Sequence, residues 1–302
     1  MNCDILLTGA EGQLGWEVAR RVQAPLTVRA TTRAQLDITN REQVLNAVGG
    51  SLPKVVVNAA AYTAVDKAEV NSDTAFSVNR DGPAYLAEAC DRYNLPLIHI
   101  STDYVFDGRK ETPYTEEDPS APLGVYGESK YAGETVVRKA CPQHVILRTA
   151  WVYGIHGNNF VKTMLRLGRE RSEIRVVDDQ RGSPTFAGDL ADAVISVARH
   201  MIAGTVPADG LGTFHCTGSG VTNWCQFARK IFEIAGPQIE QSPVVQAITT
   251  AEYPTPARRP ANSALDCSKL ARIYGIVPRP WERALRDMLD NVLVADISGE
   301  SA

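Results

Sequence analysis

Tyr126 and Lys130 lie four residues apart, so on a helix they would share one face. An ammonium beside a phenol favours the phenolate and lowers the pKa of the tyrosine from about 10. Such a phenol can give a proton to a carbonyl oxygen while a hydride is added to the carbonyl carbon. A tyrosine and a lysine at this spacing are also common on solvated helix faces. The pair therefore indicates carbonyl reduction only if the rest of the chain supplies the context.

The N-terminus supplies that context. The apolar run 5–7 predicts a buried strand, glycines follow at positions 9, 12 and 15, and apolar residues at helical spacing continue as far as Pro25. A glycine loop between a strand and a helix allows a tight turn, the close approach of a pyrophosphate and the packing of the helix onto the strand. The N–H groups and the positive dipole end of the helix favour phosphate. The spacing is GxxGxxG, wider than the common GxGxxG.

Composition excludes several classes of function. The 302 residues are 44% hydrophobic and 22% charged, as in soluble globular proteins, and the net charge of -4 argues against a nucleic-acid partner. No apolar run approaches the length of a membrane span, and the start lacks the features of a secretion signal. The six cysteines and five histidines are dispersed, without a metal-binding pattern. We expect a cytoplasmic protein with reduced thiols and no resident metal.

Strand-like and helical segments alternate along the first half of the chain. Apolar runs at 54–60, 97–102 and 145–148 follow predicted helices, of which one begins at a capping box in 39–42 and another covers about 73–93. This order predicts an α/β fold, a doubly wound parallel sheet of the Rossmann type. The later part predicts a smaller, interleaved C-terminal α/β substrate domain, with 237–260 irregular and a final helix over about 281–293.

With these features assembled, the chain resembles the extended short-chain dehydrogenase/reductase superfamily and, more narrowly, the dTDP-4-dehydrorhamnose reductases. The glycine loop and YxxxK belong to the whole superfamily. The strings within 57–69 (VNAAAYTAVDKAE) and at 101–108 (STDYVFDG) are more specific, and the similarity also includes those at 148–154, 179–185 and 259–265. The resemblance implies an NAD(P)-binding domain of residues 1–150, about 183–216 and about 262–276. The remaining segments, about 151–182, 217–261 and 277–302, would bind the sugar nucleotide.

The resemblance also implies a reaction. NAD(P)H would reduce the C4 ketone of dTDP-4-dehydro-β-L-rhamnose to dTDP-L-rhamnose, the last step of dTDP-rhamnose biosynthesis. Tyr126 would be the general acid, Lys130 would lower its pKa and bind the nicotinamide ribose, and Thr102 would orient the ketone oxygen.

Cofactor preference depends on the end of the second strand, near Thr31 to Arg33. An acidic residue there would favour NAD. None is present, whereas Arg29 or Arg33 would suit a 2′-phosphate, so we expect use of both NADPH and NADH, with NADPH preferred. Asp37 matches the adenine-contacting position of the family, although a turn residue explains it almost as well. The predicted cofactor-binding residues are Gly9, Gly12, Gln13, Leu14, Gly15, Arg33, Asp37, Ile38, Ala60, Ala61, Tyr62, Tyr126 and Lys130.

The predicted substrate is a small dTDP-sugar. Trp151 would present a flat apolar ring to the deoxysugar, although a core tryptophan is an equal alternative. Arg259, with its neighbour Arg258, would clamp the diphosphate unless both are solvated surface charges. The predicted substrate-binding residues are Thr102, Asp103, Tyr104, Val65, Trp151 and Arg259. The resemblance allows Mg²⁺ and a homodimer, but the sequence shows evidence of neither.

Two alternatives remain at this point. The chain could be another nucleotide-sugar 4-ketoreductase or epimerase, because only the longer strings favour the rhamnose enzyme. It could also be a non-catalytic protein like the regulatory subunit of methionine adenosyltransferase, which resembles these reductases. The intact set of Thr102, Tyr126 and Lys130 favours catalysis.

Overall fold

The computed structural model describes residues 3–236 and 242–298. The N-terminal half alternates strands and helices up to β5. Its elements are β1 (Ile5–Thr8), α1 (Gln13–Arg21), β2 (Val28–Thr31), α2 (Arg41–Ser51), β3 (Val55–Asn58), α3 (Val65–Ala68), α4 (Ser72–Phe76), a π-helical turn (Ser77–Asp81), α5 (Gly82–Arg92), β4 (Leu97–Thr102), a 3-10 turn (Asp103–Val105), α6 (Val125–Ala140) and β5 (His144–Thr149).

The C-terminal half has shorter strands and longer connections. Its elements are β6 (Val152–Tyr153), α7 (Phe160–Glu170), β7 (Glu173–Val177), β8 (Arg181–Gly182), β9 (Thr185–Phe186), α8 (Ala187–Ala203), β10 (Gly212–His215), β11 (Thr222–Asn223), α9 (Trp224–Ala235), β12 (Val244–Ile248), a 3-10 turn (Thr250–Glu252), α10 (Ser268–Tyr274) and α11 (Trp281–Ser298). In the described part of the chain, no helix is both long and apolar enough to cross a membrane.

Six parallel strands form the main sheet, in the order β10-β5-β4-β3-β1-β2. The chain runs outward from β1 to β2 and then returns to β3 on the other side of β1. Loops at the carboxyl ends of β1 and β3 therefore diverge, which opens a crevice at this edge of the sheet. The predicted doubly wound parallel sheet is confirmed.

Helices cover both faces of this sheet, which explains why its central strands are apolar along their whole length. Ile5 and Leu7 of β1 point to a core shared with α1 and α8, whereas Leu6 points to a core shared with α2 and α5. Since neighbouring side chains of a strand alternate between faces, one short strand contributes to both cores and is fixed in register. The loop that follows β1 is therefore held firmly.

A separate apolar cluster lies in the C-terminal half. It is formed by side chains of α7, α9, α11, β7 and β12, among them Phe227 and Trp281. The division of the chain into two domains stays a prediction. Residues 1–2, 237–241 and 299–302 of the predicted domains lie outside the described part. The prediction that 237–260 is irregular is wrong at Val244–Ile248, which form strand β12. Val245 pairs with Ile174 in a parallel ladder with β7 and is buried there.

Two local predictions also need correction. Helix α2 begins at Arg41 because the Asn40 side chain accepts a hydrogen bond from the Gln43 backbone N–H, so an asparagine cap replaces the predicted capping box. The single helix predicted over 73–93 is interrupted by the π-helical turn between α4 and α5.

Candidate active site

A cleft of about 720 Å³ lies at the carboxyl ends of the central strands. It brings together most of the residues that the sequence singled out, although they come from elements spread over the first 151 positions. The predicted residues that line it are Gly9, Gly12, Gln13, Leu14, Arg33, Asp37, Ile38, Ala60, Ala61, Tyr62, Val65, Thr102, Asp103, Tyr104, Tyr126, Lys130 and Trp151.

The glycine loop forms the floor of one end of the cleft. Gly9 has a φ of +75°, and a Cβ there would come within 2.6 Å of the Ala60 backbone nitrogen, so only glycine fits. Gly12 is the N-cap of α1 and has no side chain to cap the helix, and the next residues, Gln13 and Leu14, line the cleft. Uncapped N–H groups at a helix start suit a phosphate, so the loop fits a dinucleotide. Gly15 does not line the cleft, because it lies behind the loop, packed against the Gly9 carbonyl.

Arg33 and Asp37 line the cleft next to the end of β2. The Arg33 guanidinium is 75% exposed and lies 3.8 Å from the Asp37 carboxylate. Asp37 accepts hydrogen bonds from the backbone N–H and the hydroxyl of Thr39, at 3.0 and 2.8 Å. Burial alone would raise the pKa of Asp37, but these bonds and the Arg33 charge outweigh it and lower that pKa. Asp37 thus closes a turn and also lines the cleft, and its contact with adenine stays a prediction.

Thr102 and Tyr126 meet where β4 ends and α6 begins its first turn. The Thr102 hydroxyl donates to the Asp103 carboxylate at 2.9 Å, and Tyr104 packs edge-on against the Tyr126 ring at 5.4 Å. Burial raises the pKa of Tyr126 to about 12, although the neighbouring Thr102 hydroxyl acts to lower it. At neutral pH Tyr126 is therefore a protonated phenol, the form that a general acid needs.

Lys130 is buried one helical turn beyond Tyr126, with 2% of its surface exposed. Its ammonium donates to the Ile100 carbonyl of β4 at 2.6 Å. Burial lowers its pKa to about 8, and the negative charge of Glu134 acts in the opposite direction. Burial dominates the pKa of Tyr126, and the neighbours that influence it are Thr102 and Asp103. A lowering of this pKa by Lys130 stays a prediction.

A buried ion pair behind Lys130 was missed by the sequence interpretation. Arg148 of β5 donates to both carboxylate oxygens of Glu134, at 2.8 and 2.7 Å, and Arg138 also contacts this carboxylate. Neither Glu134 nor Arg148 has more than 3% of its side chain exposed. Glu134 follows Lys130 by four residues on α6, and this spacing was the one available signal.

Asn79 is a second residue that was missed. Its side chain accepts from the Tyr62 N–H at 2.8 Å and donates to the Tyr62 carbonyl and the Ser129 hydroxyl, both at 3.0 Å. It thereby ties the loop after β3, which lines the cleft, to the helix that carries Tyr126. A polar residue within a predicted helix gave no reason to expect this.

Five of the six predicted substrate residues line the cleft, and these are Val65, Thr102, Asp103, Tyr104 and Trp151. Burial raises the pKa of Asp103 to about 6, and it likewise raises the pKa of Tyr104. Arg259 is not among the residues that line the cleft. Its guanidinium pairs with Asp66 at 2.8 Å and is 19% exposed, so it is not a solvated surface charge either. Its assignment as a substrate ligand stays a prediction.

Within residues 3–236 and 242–298, no group of three or more histidine, cysteine, aspartate or glutamate side chains is placed to hold a metal ion. The cleft combines a glycine loop at a helix start with a protonated phenol, a buried ammonium and a hydroxyl. This set can bind a dinucleotide and protonate an oxyanion beside it.

Comparison with known proteins identifies the family. A family model described as the RmlD substrate binding domain matches residues 2–294. The dTDP-4-dehydrorhamnose reductase of Aggregatibacter actinomycetemcomitans is 46% identical over 288 residues, which cover 94% of this chain and 97% of that protein. The crystal structure of a dTDP-4-dehydrorhamnose reductase from Clostridium acetobutylicum superposes with a TM-score of 0.89 at 41% identity, covering 95% of this chain and 99% of that one.

A second solved structure, dTDP-4-dehydrorhamnose reductase from Bacillus anthracis in complex with NADP, has a TM-score of 0.89 and 37% identity, and the match covers 96% of this chain and all of that one. The similarity thus extends over sequence and fold together and over nearly the full length of each relative. The chain belongs to the RmlD family, alongside the dTDP-4-dehydrorhamnose reductases to which it is similar.

Proposed function

We propose that this protein reduces the C4 ketone of dTDP-4-dehydro-β-L-rhamnose to dTDP-L-rhamnose with a nicotinamide dinucleotide. The observation that carries the proposal is the convergence of Thr102, Tyr126 and Lys130 on the cleft that the glycine loop lines. Family membership supports the substrate, because relatives at 46% and 42% identity are named dTDP-4-dehydrorhamnose reductases.

Each side chain has a separate task in this proposal. The reduced dinucleotide supplies the hydride when bound. Tyr126 gives its proton to the oxygen of the former ketone, since its pKa of about 12 keeps it protonated at neutral pH. The Thr102 hydroxyl lies beside the phenol and orients the ketone oxygen. Lys130 holds a positive charge close to the developing oxyanion, and its pKa of about 8 keeps it mostly charged at neutral pH.

The glycine loop and the N-terminus of α1 would hold the pyrophosphate, and Arg33 would meet a 2′-phosphate. We propose NADPH as the preferred cofactor and NADH as a second one, because residues 31–33 at the end of β2 include an exposed arginine and no acidic residue. Val65, Tyr104 and Trp151 border the remaining space, where a deoxysugar attached to dTDP would lie.

A direct assay tests the function. Purified protein, NADPH and dTDP-4-dehydro-L-rhamnose are mixed, the fall in NADPH absorbance is followed, and the product is identified by chromatography and mass. Other 4-keto sugar nucleotides are assayed in parallel. Faster reduction of one of these would assign the chain to another ketoreductase, and no reduction of any would favour a non-catalytic protein.

Tyr126→Phe tests the general acid. Removing the hydroxyl should lower kcat by about 10²–10⁴-fold, which is the usual contribution of a positioned acid, while the Kd for NADPH stays nearly unchanged. Tyr131→Phe is the matched control, because Tyr131 lies on the same helix and is not among the residues that line the cleft. A Tyr126→Phe enzyme with wild-type turnover would refute this role.

A further inference from the structure

Trp151 has a backbone conformation that a bulky residue seldom adopts. Its φ is +48°, in the left-handed region that favours glycine. It lies two residues after the end of β5 and lines the cleft. Strain of this kind persists only where the surroundings enforce it, and it concentrates at ligand sites. The contacts that enforce it are therefore of interest.

Two residues confine the Trp151 indole. The Trp224 ring stacks on it with centroids 3.6 Å apart and an interplanar angle of 10°. At Gly182, a Cβ would come within 2.5 Å of indole atom Cε2 and within 2.7 Å of Nε1. Any larger residue at 182 would displace the ring. The ring is thus fixed by an aromatic surface and by a backbone that approaches it closely.

Both of these contacts come from one small ribbon. Strand β8, which ends at Gly182, pairs antiparallel with β11, which ends immediately before Trp224. Arg181 of β8 also forms hydrogen bonds with a segment much later in the chain. Its N–H donates to the Ala261 carbonyl, and its carbonyl accepts from the Ser263 N–H, both at 2.8 Å. The ribbon is therefore held on both sides by backbone hydrogen bonds.

We infer that Gly182 and Trp224 are positioning residues that lock the Trp151 indole as a wall of the sugar-nucleotide site and so set affinity for the deoxysugar. The inference rests on the proposed function. A locked apolar ring loses no rotamer freedom when the sugar binds, so its contribution to affinity is retained. The expected effect falls on the sugar and not on the dinucleotide, because neither Gly182 nor Trp224 is among the residues that line the cleft.

The competing explanation is that the stack serves only the packing of the C-terminal cluster, against which both tryptophans lie. Loss of packing alone would lower the free energy of unfolding without a selective change in sugar affinity. The two explanations therefore differ in whether sugar affinity changes selectively. They also differ in whether a smaller aromatic ring in place of Trp224 restores that affinity.

The test uses Trp224→Ala, Trp224→Phe and Gly182→Ala in the full chain. For each variant, kcat and KM for dTDP-4-dehydro-L-rhamnose, the Kd for dTDP-L-rhamnose and the Kd for NADPH are measured. Trp224→Ala should raise KM and the dTDP-L-rhamnose Kd at least tenfold and change the NADPH Kd by less than about twofold. Trp224→Phe should recover most of the loss, because a phenyl ring still stacks. Gly182→Ala should act like Trp224→Ala.

Unchanged sugar constants in these variants, or sugar and NADPH constants that weaken together, would overturn the inference. If Trp224→Ala does not fold, Gly182→Ala and Trp224→Phe still decide it through the same constants. A wild-type protein that neither reduces the ketone nor binds dTDP-L-rhamnose would overturn the proposed function and this inference together. An active wild type with unaffected variants would overturn this inference alone.

Discussion

Replacing Lys130 with methionine should change how the free energy of unfolding depends on pH. The lysine side chain is buried, and burial lowers its pKa from 10.5 to about 8 in the folded protein. Methionine keeps much of the apolar length and cannot take a proton. The variant therefore isolates the contribution of one titrating group.

The sign and size of the effect follow from proton linkage. Below pH 8 both states bind the proton, so the folded wild type carries the full cost of the lowered pKa. Between about pH 8 and 10.5 the unfolded chain binds more protons, and the cost is progressively removed as pH rises. At about 1.36 kcal/mol per pKa unit the full cost is about 3 kcal/mol, most of which should disappear between pH 7 and pH 10.

Urea unfolding of both proteins at pH 7 and pH 10 provides the measurement. The free energy of unfolding of the wild type, relative to that of Lys130→Met, should rise by about 2–3 kcal/mol at the higher pH. The lost hydrogen bond to the Ile100 carbonyl and the change in packing contribute equally at both pH values and cancel. Lys139→Met, at an exposed position of the same helix, is the control and should show no such rise. Parallel pH dependence in wild type and Lys130→Met would refute the reasoning.

Two further predictions concern charge. Arg33→Ala should weaken NADPH binding roughly tenfold and leave NADH binding nearly unchanged, because an exposed guanidinium adds a modest contact to a 2′-phosphate. Titration with each dinucleotide measures the two Kd values, and an equal loss of affinity for both would contradict this prediction. Glu134→Gln should cost about 3–5 kcal/mol of unfolding free energy at pH 7, because it leaves buried Arg148 without its carboxylate, whereas Glu170→Gln, at an exposed pair, should cost about 0.5 kcal/mol or less. The difference in free energy of unfolding between wild type and Glu134→Gln should become smaller as pH falls through the lowered pKa of Glu134. A difference that does not change with pH would exclude the ion pair as its cause.

The features predicted well from the sequence are those whose cause is local. Strand β1, the glycine loop and α1 follow one another within about twenty residues, so periodicity and glycine spacing were enough to identify them. The same is true of Tyr126 and Lys130, which share a helix face because four residues separate them. The alternation of strands and helices likewise gave the doubly wound sheet.

The features that were missed depend on residues far apart in the chain. Strand β12 lies in a segment rich in proline, and it became a strand only because β7, about 70 positions earlier, offers an edge to pair with. The ion pair of Arg259 with Asp66, 193 positions away, was likewise not expected. No local pattern predicts such partners, because the pairing is decided by the tertiary fold.

The chemistry of the cleft divides in the same way. The spacing of Tyr126 and Lys130 indicates which reaction the pair is suited to, but burial determines the protonation states in which the pair can act. Burial raises the pKa of the phenol to about 12, so the phenol stays protonated at neutral pH. Burial lowers the pKa of the ammonium to about 8, so the ammonium carries its positive charge below about pH 8. A motif of two residues therefore identifies a candidate acid, whereas its protonation state at neutral pH is set by burial beside Thr102 and Asp103 at the end of β4.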